Sequence, residues 1–97
     1  MNKQKFEQLF STLRDYTECT FDSSQYRTAF FDITTHKGRR IPIAETKVRN
    51  GKCYVVMDCG IFDSGLVIFR EEAAIAIPWE NITEINVIKV KNSYRYL

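Results

Sequence analysis

Histidine, proline and glycine are scarce in this chain, and its three cysteines do not have the spacing of a metal or redox motif. A single histidine, His36, cannot build a histidine-based metal centre, and there is no HxH, CxxC or DxDxD cluster to replace one. No metal and no cofactor is therefore expected. A Cys–His nucleophile pair would have to combine His36 with Cys19, Cys53 or Cys59. His36 falls on a predicted turn, Cys53 on a predicted core face, and Cys59 beside Asp58, whose carboxylate opposes thiolate formation. Gly60 and Gly65 have the spacing of the outer glycines of a phosphate loop, but Leu66-Val67 follows where Lys-Ser/Thr is required. Asp63-Ser64-Gly65 is not a nucleophile elbow. These absences together predict a protein that is not an enzyme.

No apolar run approaches the length of a membrane span, and the first residues lack an apolar signal core. The expectation is a cytoplasmic protein with reduced thiols and no membrane partner. The sequon Asn81-Ile82-Thr83 then carries no consequence. A formal net charge of +2 is too small to imply a nucleic-acid partner by itself.

What is present is a core. Ninety-seven residues, 44% hydrophobic and 13% aromatic, fit one globular domain with a modest interior. Residues 1–20 predict a helix, with Phe6, Leu9, Phe10, Leu13, Tyr16 and Thr17 forming one stripe. Asn2 is placed to cap it, although Lys3 and Lys5 oppose the helix dipole. Residues 26–90 predict an antiparallel sheet, and residues 91–97 a tail.

In the strand at 26–35, Ala29, Phe31 and Ile33 share one face. His36-Lys37-Gly38-Arg39 is a hairpin turn. The strand at 40–48 contains Pro42, so it starts at an edge or carries a bulge. Its apolar phase favours the bulge: Ile41 and Ile43 are odd-numbered, whereas Ala44, Thr46 and Val48 are even. Arg49-Asn50-Gly51-Lys52 is the sharpest local signal, because Asn-Gly suits a two-residue type I′ turn. Such a turn pairs Val48 with Cys53, Lys47 with Tyr54, Thr46 with Val55 and Ala44 with Met57. Ala44, Thr46, Val48, Cys53, Val55 and Met57 then form a core face, and the Lys47 ammonium stands over the Tyr54 ring.

Residues 59–65 read as a loop. Residues 66–69 are apolar on both faces, as in a central, covered strand. The alanines of 73–77 share a face that another element can approach closely. Pro78-Trp79-Glu80-Asn81 breaks the chain, with Trp79 closing one end of the core, and a last strand follows at 83–90.

The expected fold is α+β: an N-terminal helix on a curved antiparallel sheet of about five or six strands. In shape it resembles an SH3-like or Sm-like small barrel, with a PH-like roll as the second option. No motif assigns a family.

Charge is lopsided along the chain. Lys37, Arg39, Arg40, Lys47, Arg49 and Lys52 face one acid between residues 36 and 52, and six acids face one base between 58 and 84. A protein-binding or adaptor role is expected, with a protein partner or a second copy of the chain meeting these charges. Pairing across a dimer axis through the strand begun at Pro42 is one route. The alternative is single-stranded RNA binding, with those bases and Arg95 gripping phosphates while Tyr54, Tyr94 or Tyr96 stack on bases. That alternative requires the basic turns and the tail to share a face.

Overall fold

A computed structural model describes residues 1–93, so Tyr94, Arg95 and Tyr96 lie outside the described residues. The helix α1 spans Lys3–Thr20. The Asn2 side chain caps it by accepting from the Lys5 N–H at 2.8 Å. Seven strands follow: β1 (Tyr26–Thr35), β2 (Arg40–Arg49), β3 (Lys52–Met57), β4 (Cys59–Ile61), β5 (Gly65–Phe69), β6 (Ala74–Pro78) and β7 (Ile82–Lys91). A single 3₁₀ turn, Trp79–Asn81, separates β6 from β7. Among the described residues no helix is long and apolar enough to cross a membrane.

The strands form two antiparallel sheets, ordered β3-β2-β1-β7 and β4-β5-β6. This corrects the expectation of one curved sheet with five or six strands, and the sheets do not close into a barrel. Residues 59–61 are a strand, not part of a loop. The segment from β3 to β4 serves both sheets, and Asp58 is where it crosses. Its N–H donates to the Ile43 carbonyl of β2 at 2.7 Å, and its carbonyl accepts from the Phe69 N–H of β5 at 2.9 Å.

The Asn50-Gly51 turn forms as its chemistry requires, with φ of 53° and 76°. It sets the register Arg49↔Lys52 through Ala44↔Met57. The bulge is also present: β1 pairs Phe31 with Ala44 but Asp32 with Pro42. The inserted residue returns both phases to the interior, so Ile41, Ile43, Ala44 and Thr46 are all buried. The core face ends there. Val48 is 46% exposed and borders an open cleft that Glu18, Phe21 and Ser23 line from the other side. Lys47 does not stack on Tyr54; its ammonium pairs with Glu45 at 2.8 Å. A carboxylate and an ammonium on one face gain more from each other than the ammonium gains from a ring quadrupole.

One buried cluster joins the helix to both sheets. Its aromatic members line up: Trp79 and Phe6 centroids are 5.2 Å apart, Phe6 and Phe10 6.0 Å, and Phe10 and Phe31 5.3 Å. The helix stripe docks as expected except at Tyr16, which is exposed. There the ring meets the Lys89 ammonium at 5.3 Å, and the same ammonium lies 5.4 Å from the Tyr26 ring. Lys89 belongs to β7 and clamps the end of the helix instead of opening a basic tail. Near its C-terminus, α1 also sends Glu18 to accept the Val55 N–H at 3.0 Å. That bond occupies the outer edge of β3.

Candidate functional site

β6, like β4, is an edge of its sheet, and its outer side is left open by the described residues. In the β5–β6 hairpin the Arg70 N–H donates to the Ala73 carbonyl at 2.8 Å, and the register runs Ile68↔Ile75 and Leu66↔Ile77. Antiparallel bonding alternates along a strand. Ala73, Ile75 and Ile77 therefore turn their main-chain groups toward β5, and Ala74 and Ala76 turn theirs away. Among the described residues no strand lies on that side. Strand edges are ordinarily blunted by charge or by a covering group. β3 has Glu18, and β7 carries Glu84, Lys89 and Lys91. β6 has no charged residue at all.

Across from this edge stands the β1–β2 turn. A groove of about 210 Å³ runs between them. Ile75, Ala76, Ile77, Pro78 and Asn81 form one wall, and Thr35, His36, Lys37, Arg39 and Ile41 the other. The walls are tied together at one end, where the His36 N–H donates to the Asn81 carbonyl at 2.8 Å. The turn itself is held by Gly38 at φ 79° and by bonds from the Gly38 N–H to the Thr35 carbonyl and from the Thr35 N–H to the Arg39 carbonyl. Ile75, Ala76 and Pro78 supply apolar surface, while Ile41 and Ile77 are buried. Lys37 and Arg39 are exposed and make no ion pair with any described residue.

The other basic residues named from the sequence do not join them. Arg40 follows Arg39 directly, and alternation sends it to the opposite face. There it pairs with the buried Asp32 carboxylate at 3.0 Å. Asn86 donates to the other oxygen of Asp32 at 3.2 Å and to the Thr34 hydroxyl at 3.2 Å. Sequence reasoning passed over this Asp32–Arg40–Asn86 network. Its one visible signal is an aspartate inside the run Phe30-Phe31-Asp32-Ile33.

Lys47, Arg49, Lys52 and Tyr54 sit toward the far end of β2, and Arg49 and Lys52 at the tip make no ion pair with any described residue. Ten extended residues separate the ends of that strand by about 30 Å. The structure thus divides residues 37–52 into two basic groups. β2 begins as an edge, as Pro42 suggested: β1 pairs along it from Arg40, but β3 only from Ala44 to Arg49.

The thiols show no activated nucleophile. Cys59 is 8% exposed, and burial, helped by Asp58, pushes its pKa up to about 11. Burial also raises Cys53, with a smaller push from Glu18. Cys19 is exposed. At pH 8 only about one Cys59 in a thousand is thiolate. Iodoacetamide at that pH is expected to label Cys19 first, Cys53 more slowly, and Cys59 only on unfolding. Rapid labelling of Cys59 in native protein, located by peptide mass mapping, would contradict that order. Among the described residues no three His, Cys, Asp or Glu side chains gather to hold a metal ion.

Comparison with models of known protein families, with curated proteins and with solved structures finds no match.

Proposed function

We propose that the chain is a small, non-enzymatic protein-binding domain that takes an extended, acidic segment of a partner along β6. The supporting observation is an uncharged strand edge facing, across a partly apolar groove, two cations that make no ion pair with any described residue. Main-chain groups of Ala74 and Ala76 supply the hydrogen bonds of strand addition, which bind backbone without regard to sequence. Lys37 and Arg39 supply selection, because they attract carboxylates and repel basic segments. Ile75 and Pro78 favour apolar residues on one side of the incoming segment.

Fluorescence anisotropy tests this reading with labelled octapeptides of alternating valine and glutamate, alternating valine and lysine, and with single-stranded oligouridine. Saturable binding of the acidic peptide alone is expected. Ala76→Pro removes an outward N–H and no bond to β5, and proline is tolerated on an edge strand. It should weaken binding at least about tenfold, or ~1.4 kcal/mol, and Arg39→Glu should do the same. Equal binding by wild type and both variants would remove the groove from consideration. Oligouridine binding that Arg39→Glu abolishes and Ala76→Pro leaves intact would favour the nucleic-acid reading instead.

A further inference from the structure

The outer face of the β4-β5-β6 sheet is apolar and uncovered. Residues 66–69 read as a strand with both faces buried, yet the described residues cover only one. Leu66 and Ile68 are fully buried, while Val67 is half-exposed and Phe69 is 53% exposed. The register places Gly60, Val67 and Ala76 side by side on the outer face, with Phe69 beside Ala74. Phe62 is 51% exposed and folds over Gly60: its ring lies 2.7 Å from the point a β-carbon would occupy, and the Phe69 ring lies 3.4 Å from the same point. The two exposed rings therefore flank one spot and form a continuous patch.

Charge around this patch limits what can cover it. Glu71 and Glu72 occupy the β5–β6 turn beside one base, Arg70, and Asp58 is bonded to Phe69 at the same end, so acids outnumber bases there. Asp63, at the other end, already pairs with Lys3 at 2.9 Å. Two copies stacked face to face about a two-fold axis parallel to the strands would set acidic ends against each other. The fitting partner is apolar and basic.

This chain carries such a surface. At the tip of the β2–β3 hairpin, Val48 and Tyr54 are 46% and 40% exposed on opposite faces, and Arg49 and Lys52 close the tip with no ion pair to any described residue. We propose that copies of the chain associate head to tail, the β2–β3 tip of one seated on the outer face of the β4-β5-β6 sheet of the next. Such a contact uses a different surface on each copy, so it builds rings or open chains instead of a two-fold dimer. A hairpin tip buries less than the ~1,200 Å² of a stable interface, so the association is weak and weakens further with salt. It does not depend on the β6 groove, and the two can fail separately.

Sedimentation equilibrium of the full chain up to about 1 mM tests it with two variants, Phe69→Glu on the face and Arg49→Glu/Lys52→Glu on the tip. Both change exposed positions, and an unchanged thermal midpoint confirms folding. Wild type is expected to self-associate and each variant alone to be monomeric. Mixing the two leaves one intact face and one intact tip, so the mixture should form one-to-one heterodimers that grow no further. Monomeric wild type at the highest concentration overturns the proposal. So does a mixture that stays monomeric, or a tip variant that associates as wild type does.

Discussion

Replacing Trp79 with alanine is expected to cost about 3–5 kcal/mol of stability, the range for deleting a large buried aromatic. Trp79 is buried and stands 5.2 Å from Phe6, so it joins the helix to the corner between the sheets. Its indole N–H donates to the carbonyls of Phe62 at 3.0 Å and Asp63 at 3.1 Å. One side chain thus holds α1, the β4–β5 turn and the 3₁₀ corner together. Deletion opens a cavity at the end of the aromatic row and frees the turn. For a chain of this size each kcal/mol moves the thermal midpoint by roughly 4–8 °C, so a fall of more than about 12 °C follows. Trp79→Phe keeps most of the volume and loses the N–H, and about 1–2 kcal/mol is expected for it. Urea unfolding followed by circular dichroism measures both. A loss under about 1.5 kcal/mol for the alanine variant would mean that Trp79 does not close this core.

The second large effect is expected at Gly65. A β-carbon there would land on the Ile77 carbonyl and stand 2.9 Å from the Pro78 α-carbon. These are main-chain atoms of the neighbouring strand and cannot swing aside. Gly65→Ala must push β6 from β5, at about 3 kcal/mol or more, the upper end of overpacking costs. Gly51 is the control. It has φ 76° and nothing within 4 Å of an added β-carbon, so Gly51→Ala carries only the local cost of a left-handed conformation, about 1–2 kcal/mol. The Gly65 penalty comes through space, and the Gly51 penalty from the residue's own backbone. Because Gly65→Ala displaces β6, it should also weaken acidic-peptide binding, which Gly51→Ala should leave unchanged. Equal unfolding free energies for the two variants would show that β5 and β6 do not approach so closely.

Where the chain's chemistry is local, the residues were sufficient. Asn50-Gly51 dictated a turn, the turn dictated the pairing of β2 with β3, and the odd-to-even slip of Ile43 and Ala44 announced the bulge. The helix stripe named Phe6, Phe10 and Thr17 as buried. For the candidate site the residues named only half. Lys37 and Arg39 were visible as bases on a turn, and the alanines of β6 as a face open to close approach. That these two would stand opposite each other was not visible. Arg40 was grouped with Arg39, although the Asp32 that takes it away is distant in sequence and meets it only across a strand pair.

Turn type, strand phase, helix stripe and the apolar character of each segment were thus determined by the amino-acid sequence alone, because each depends on residues within a few positions of one another. The tertiary structure decided that the sheet divides at Asp58, that β6 keeps an open edge, that Val48 and Phe69 are left exposed, and that the bases divide between the two ends of β2. Alternation tells a side chain which of two faces it takes, but which face is covered depends on strands and helices folding back from far along the chain.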